Sequence, residues 1–296
     1  MLDNTFPVVS VIIPTYNRVN TIQRAINSVL KQTYKNFELI IVDDGSTDNT
    51  ENVILRENDD RIVFLKHDTN KGGSAARNTG ISHAKGKYIA FLDSDDEWCP
   101  EKLKKQVEAL DKLQTDDWGG IYCGYYYIKK NGEIKKVEAL QRGKLKKELL
   151  KKELDIGASS TLLFSRTAIE DIGLFDESFE RHQDWEFLVR FFGKYGLWSI
   201  EQPCVKIFGH NPPKAEKAVK AREKYLLKYE KEIQDLGISE PQQIYAIHWF
   251  EIAKLYASEG NLVGMSKYLK KSFKFCILPL KNYLILVLMY LRGISQ

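Results

Sequence analysis

Four short apolar runs, each followed by a polar loop and then a helical stretch, occupy the first third of the chain and leave few architectures open. They are Val8-Val9-Ser10-Val11-Ile12-Ile13, Phe37-Glu38-Leu39-Ile40-Ile41-Val42, Ile62 to Lys66, and Tyr88-Ile89-Ala90-Phe91-Leu92. Such runs, rich in β-branched residues and without polar alternation, are strands buried on both faces. Between them, Ile22, Ala25, Ile26, Val29 and Leu30 recur at helical spacing behind a cap at Asn20. Further helices are expected from Asp48 to Arg56 and from Ser74 to Ala84. Strand and helix alternating every 25 residues or so give right-handed βαβ units, hence an α/β fold with a mostly parallel sheet.

The pattern changes after residue 112. Gly120 to Lys129 is aromatic and β-rich, Asn131-Gly132 signals a two-residue hairpin, and Glu133 to Val137 returns as the partner strand. Lys144 to Glu153 reads as a solvated basic helix. Thr161 to Phe164 and Val205 to Phe208 are further strands, with a helix from Trp185 to Gly193 between them. From Pro213 the chain is helical, first a charged segment to Leu236, then Ala246 to Leu269 as a helical hairpin broken at Gly260-Asn261. The expected domains are 1–211, with halves 1–112 and 113–211, and a helical C-terminal extension over 212–296.

Composition excludes several classes. Of 296 residues, 43% are hydrophobic and 28% charged, ordinary globular usage that argues against disorder and against an integral membrane protein. The net charge of +4 is too small to demand a nucleic-acid partner. Cys99, Cys123, Cys204 and Cys276 are widely spaced, which suggests neither a zinc site nor a disulfide framework and fits a reducing cytoplasm. No secretory signal is expected in Met1-Leu2-Asp3-Asn4-Thr5. The longest apolar run, Tyr283 to Leu291, is about half the ~20 residues of a membrane span.

Ligands of open α/β sheets bind at the carboxyl ends of the strands. Here these ends read Pro14-Thr15-Tyr16-Asn17-Arg18, Asp43-Asp44-Gly45-Ser46, His67 to Gly73, and Asp93-Ser94-Asp95-Asp96. The first loop has no glycine, so it lacks the Gly-x-Gly-x-x-Gly turn of a nicotinamide dehydrogenase. Tyr16 and Asp44 instead offer a stacking face and a carboxylate acceptor, which suit a nucleobase with an N–H edge, although loop packing and a helix cap would use the same residues. Asp93, Asp95 and Asp96 crowd three carboxylates that repel unless a cation is bound, and hard oxygens suit Mg²⁺ or Mn²⁺. Asp96 and Glu97 also serve as acids at a helix N-terminus.

These stretches, in this order and together with Asn-Lys-Gly-Gly-Ser-Ala-Ala-Arg-Asn from Asn70, resemble the family-2 inverting glycosyltransferases of GT-A fold over roughly residues 7 to 210. The resemblance implies a Rossmann-like nucleotide-binding sheet that runs into a central mixed sheet. It implies that Pro14, Thr15, Tyr16 and Arg18 border the nucleotide, that Asp44 accepts from the base, normally uracil, and that Asn70 and Arg77 face the nucleotide or its phosphates. Asp93-Ser94-Asp95 matches the family's Asp-x-Asp signature, with Asp93 toward ribose or sugar and Asp95 on the metal.

The resemblance also places a general base at the start of the later helix, where Asp184 stands. Gln183 replaces the commoner first acid of that pair, Glu186 is a neighbouring carboxylate, and His210 matches a histidine that faces metal or diphosphate. The implied activity moves a sugar from a UDP-sugar donor to a hydroxyl of a glycan or lipid-linked acceptor, in cell-surface polysaccharide or glycoconjugate synthesis, with Mn²⁺ or Mg²⁺ as cofactor. A sugar nucleotidyltransferase would need the missing glycine-rich loop, and a non-catalytic scaffold would lack the acids. The tail 267–292, basic and then aliphatic, is either packed on the hairpin or in a homo-oligomer, or is an interfacial element that sets a cytoplasmic enzyme on the inner face of the membrane.

Overall fold

The computed structural model describes residues 7–113, 115, 117–209 and 212–293. Two compact units are present, one formed by 1–146 with 155–210 and the other by 147–154 with 211–296. Along the chain come β1 (Val9–Thr15), α1 (Ile22–Leu30), β2 (Phe37–Asp43), α2 (Thr50–Ile54), β3 (Ile62–Lys66), α3 (Gly73–His83) and β4 (Tyr88–Phe91). Next are β5 (Glu97–Trp98), α4 (Lys102–Asp111), β6 (Trp118–Ile128), β7 (Ile134–Val137) and α5 (Lys146–Leu150). A short 3-10 turn (Ser159–Thr161), β8 (Leu163–Ser165), α6 (Arg166–Ile172), α7 (Gln183–Lys194) and β9 (Gly196–Phe208) follow, and of all these elements only α5 falls, but for Lys146, in the second unit.

One mixed sheet organises that unit, in the order β3-β2-β1-β4-β8-β6-β9-β5 with β7 on the flank of β6. β1 pairs in parallel with both β2 and β4, and β2 with β3. The carboxyl ends of these four strands therefore share one edge, and their polar loops meet there. β8 inverts the direction, lying antiparallel to β4 and to β6. Val9, Val11 and Ile13 bury against Ile22, Ala25, Ile26 and Val29 of α1. Ile12 points to the other face, where α3 crosses so closely that a Cβ on Gly80 would collide with its side chain. Helices thus cover both faces of the parallel half.

Several elements differ in detail from the sequence reading. The N-cap of α1 is Thr21 rather than Asn20, and its first turn is closed by Thr21 and Ile22 amides on the Arg18 carbonyl. The β6–β7 connection is not a two-residue turn, because only Gly132 takes positive φ (84°), whereas that turn requires it at both central residues. Lys129 N–H bonds Glu133 O, leaving a three-residue loop with glycine in the left-handed position. β9 begins at Gly196, well before Val205. Its register against β6 slips near Gly124 and Pro203, which is why the stretch carries no clean strand pattern. The basic helix shortens to α5, and Leu149 and Leu150 are buried rather than solvated.

The second unit holds α8 (Ala215–Lys228), α9 (Glu230–Gln234), α10 (Glu240–Ser258), α11 (Leu262–Phe273) and α12 (Leu280–Gly293). The break at Gly260-Asn261 separates α10 from α11, whose start is capped by Asn261 Oδ1 on Gly264 N–H at 2.9 Å. His248 is buried between Arg222 Nη1 (2.7 Å) and the Leu150 carbonyl (2.8 Å). A guanidinium only donates and a carbonyl only accepts, so Nδ1 is the acceptor and Nε2 carries the hydrogen of a neutral ring. No helix among the described residues is long and apolar enough to cross a membrane.

Candidate active site

A cleft of about 640 Å³ opens at the carboxyl edge of β1 to β4. Pro14, Thr15, Tyr16, Arg18, Asp44, Asn70, Arg77, Asp93, Ser94 and Asp95 all line it. Ten side chains named from the sequence, carried on four strand ends and one helix, are thus brought to a single cavity. The loops that bear them are laced together. Asn17, in the left-handed region (φ 52°), receives the Thr47 and Asp48 amides on its Oδ1 and gives its own amide to Ser46 Oγ. Gly45 also has positive φ (74°), and a Cβ there would meet the Thr69 backbone at 2.8 Å. Only glycine lets these two loops approach so closely.

On the nucleoside side, Tyr16 is 40% exposed and offers its ring to the cavity. Thr15 Oγ1 is buried and has no hydrogen-bond partner among the described residues. Asp44 is held by more than its strand. Its Oδ1 accepts from His67 Nδ1 at 2.7 Å and from the Lys71 amide at 2.9 Å, and its Oδ2 accepts from the Gly72 amide at 2.8 Å. A carboxylate oxygen has two lone-pair sites, so Oδ2 retains one for a further donor. The imidazole is itself steadied by the Thr79 hydroxyl, 2.9 Å from Nε2. His67 received no role from the sequence, because a histidine at a strand end carries no signal of which side chain it will face.

The acids at the end of β4 divide three ways. Asp93 Oδ1 accepts from Arg77 Nη2 at 2.6 Å and from Ser159 Oγ at 3.1 Å. Asp95 Oδ2 lies 3.2 Å from Arg18 Nε, and its carbonyl accepts from Arg24 Nη2. Asp96 is buried, with Oδ2 on Ser160 Oγ (2.6 Å) and Oδ1 on the Phe208 amide (3.3 Å). Burial first, and then the charge of Asp93, push its carboxyl well above the usual range. Asp96 is therefore a structural acid that anchors the loop. Ser159, Ser160 and Arg24 were not legible as parts of this constellation, since lone hydroxyls and a helical arginine are common everywhere.

Asp93 and Asp95 remain at the cavity, and they offer the hard oxygens a divalent cation prefers. No group of three His, Cys, Asp or Glu among the described residues is placed to hold a metal by itself. The donor set fits a divalent cation that shares its coordination with oxygens of the substrate. His210 lies outside the described residues.

The cleft is also lined by Glu180, Arg181, His182 and Gln183, which lead into the first turn of α7. Arg77 ties this stretch to α3, its Nη1 reaching Gln183 Oε1 at 3.4 Å and the Gly73 carbonyl at 3.2 Å. Its Nε is buried and unpartnered among the described residues. His182 takes a left-handed conformation (φ 62°) and stacks on Trp185, with ring centroids 4.3 Å apart. Asp184 follows in the first turn of α7, half-buried, with Oδ1 on the Trp185 amide at 3.0 Å. It does not line the cleft wall as Gln183 does. Burial raises its carboxyl above the ordinary value, Arg77 works in the opposite sense, and Asp93 reinforces the rise. The neighbouring Glu186 is fully buried, and both its oxygens are clasped by Arg190 at 2.8 Å. That pairing leaves Asp184 as the carboxylate of this turn not committed to an arginine clasp.

Comparison with known proteins shows the family. Glycosyl transferase family 2 matches residues 10–173, more than half of the chain. An uncharacterized glycosyltransferase of Rickettsia prowazekii is 35% identical over 223 residues, covering 74% of this chain and 69% of that protein. The UDP-Glc:alpha-D-GlcNAc-diphosphoundecaprenol beta-1,3-glucosyltransferase WfgD of Escherichia coli is 41% identical over 155 residues, covering 52% of this chain and 59% of that protein. Among solved structures, a mannosyltransferase of Pyrobaculum calidifontis in complex with GDP-Man and Mn²⁺ superposes with a TM-score of 0.58 at 20% identity, over 99% of this chain and 87% of that one.

Proposed function

Since the chain belongs to glycosyltransferase family 2 and is a glycosyltransferase, we propose that it moves a sugar from a UDP-sugar to a hydroxyl of a lipid-linked glycan acceptor, with inversion at the anomeric carbon. The observation that carries this reading is the meeting of nine strand-end side chains and Arg77 of α3 in one cleft whose lining also includes Gln183, the residue before Asp184. The E. coli relative named above takes UDP-Glc and a diphosphoundecaprenol-linked acceptor, which supports both the nucleotide and the acceptor class. Residues 1–112 then form the donor half, 113–211 the acceptor half and 212–296 an extension.

In this reading the uracil ring stacks on Tyr16 and gives its N–H to the open lone pair of Asp44 Oδ2. Thr15 Oγ1, Arg18 and Asn70 border the nucleoside, and Asp93 with Ser94 contacts the ribose or sugar. Arg77 turns its free Nε–H toward the diphosphate, so that negative charge developing on the leaving group meets a fixed cation. Asp95 would hold Mn²⁺ or Mg²⁺ together with diphosphate oxygens, with His210 as a second ligand. Such an ion, as in the mannosyltransferase complex, would supply further positive charge to the leaving group.

Asp184 acts as the general base. It takes the proton of the acceptor hydroxyl as that oxygen attacks the anomeric carbon from the side opposite the departing diphosphate. Its raised carboxyl value makes it a better proton acceptor than an ordinary surface aspartate. The reaction belongs at the cytoplasmic face of a membrane, where a lipid-linked acceptor is presented.

The test is calorimetric binding of UDP, GDP, CDP and ADP with and without Mn²⁺, followed by transfer assays with UDP-sugars. Selective, metal-dependent UDP binding is the expected result. Preference for GDP, or no nucleotide binding at all, would overturn the donor assignment.

A further inference from the structure

We infer that α12 and the lysines preceding it form a docking surface for an anionic lipid bilayer. Its use rests on the lipid-linked acceptor proposed above, whereas the surface itself is argued from the second unit alone. α12 buries Leu286, at 3% exposure, yet leaves Leu284 60% exposed, with Ile285, Val287, Leu288 and Leu291 also exposed. At about 100° per residue, these exposed side chains cover an arc of roughly 160° opposite Leu286. The helix is therefore apolar on the side that packs and apolar again on the side that does not. Ile277, just before the helix, and Leu280, its first residue, are exposed as well. Of the seventeen exposed large apolar side chains among the described residues, eight fall within 273–291, so the exposure is concentrated rather than scattered.

Charge selects the occupant. From Gly260 to the last residue the sequence contains no Asp or Glu, while it contains five lysines and Arg292. Lys271 is engaged, 3.4 Å from Glu223 and 3.5 Å from the centre of the Trp249 ring. Lys267, Lys270, Lys274 and Lys281 are exposed and pair with no carboxylate among the described residues. One sign of charge on the same segment as an aliphatic face complements an anionic bilayer, which takes lysines at its headgroups and aliphatic side chains below them. The same arrangement disfavours a second copy of this chain, since a two-fold contact sets each patch against itself and brings like charges together. A helix of 14 residues is about 21 Å long, which suits lying in the interface and not crossing the ~30 Å core.

Flotation of the full chain with vesicles tests the proposal. Vesicles of phosphatidylcholine containing about one-third phosphatidylglycerol should carry the protein, and pure phosphatidylcholine vesicles should carry roughly tenfold less or none. The variant Leu284→Ser, Leu288→Ser, Leu291→Ser should lose at least about tenfold in vesicle affinity, and Lys270→Gln with Lys274→Gln should lose the preference for anionic lipid. All five positions are exposed, and thermal melts with UDP calorimetry on each variant verify that the fold is intact.

Failure of the wild-type protein to float, or unchanged flotation of the triple serine variant, would overturn the proposal. So would a wild-type dimer that the serine variant turns into a monomer without any vesicle binding, because a second copy would then cover the face. Flotation without UDP binding would sink the donor reading and leave the docking surface standing. UDP binding without flotation would do the reverse.

Discussion

Arg77 Nη2 sits 2.6 Å from Asp93 Oδ1, and the same guanidinium reaches Gln183, which also lines the cleft. A single side chain of α3 thus joins the acids at the end of β4 to the start of the helix that carries Asp184. Arg77→Lys keeps the charge but cannot contact Asp93, Ser159 and Gln183 together, because an ammonium lacks the planar fork. UDP affinity should fall by about tenfold or more in calorimetry. In Arg77→Gln, which removes the charge as well, the acid limb of the transfer pH profile should also move upward, since the positive charge of Arg77 opposes the burial that raises Asp184. An unmoved limb would argue against this coupling.

Asp184→Asn should leave UDP affinity within about twofold and lower transfer by ~10² or more, the usual contribution of a positioned general base. In the wild-type protein, transfer should rise with pH through a value above that of an ordinary aspartate, because the base works only when ionised. Wild-type turnover by the asparagine variant would move the base elsewhere.

Asp95→Ala should abolish the part of UDP affinity that depends on Mn²⁺ while leaving the metal-free part nearly unchanged. Arg18 would lose its partner at 3.2 Å, a pair open to solvent on the arginine side whose loss costs little stability. Titration of UDP with and without Mn²⁺ reads both effects, and an undiminished response to Mn²⁺ would remove Asp95 from the metal site.

His67→Phe removes the ring N–H that meets Asp44 at 2.7 Å within a buried setting. The expected loss in chemical denaturation is about 1.5–3 kcal/mol, as for other hydrogen bonds to charged groups. UDP binding should weaken as well, because the Asp44 carboxylate loses one of its three fixed donors. A variant as stable as the wild type would mean that the Lys71 and Gly72 amides suffice.

Lys102, at the start of α4, is fully buried, donates to Gln106 Oε1 at 2.7 Å and lies over the Trp98 ring. Burial lowers its value to about 8. Between there and the ordinary lysine value near 10.4, the unfolded chain holds the extra proton, so stability rises with pH across that window. The full cost of the buried charge is present below about pH 8. Lys102→Met should therefore flatten the rise by about 3 kcal/mol between roughly pH 7 and pH 10.5 in denaturant titrations. An identical pH dependence in the two proteins would show that Lys102 stays charged.

The parallel half of the sheet and the identity of the cleft residues were legible because both rest on local information. Four apolar runs must be strands buried on two faces, and parallel strands connected by helices must bring their carboxyl ends to one edge. Tyr16, Asp44 and Asp93 to Asp95 consequently meet without any knowledge of packing, whereas Arg77, on α3, was named only through the family resemblance. The tertiary structure alone decided which partner each group finds. That Asp96 turns inward to Ser160, that Glu186 is clasped by Arg190 while Asp184 is not, and that His67 stands behind Asp44 are contacts between residues far apart in the chain or within one turn. The same holds for the outward face of α12, which the sequence leaves open between a packed helix and an interfacial one until its neighbours are placed. Periodicity states which side chains share a face, but only the assembled core shows which face is covered.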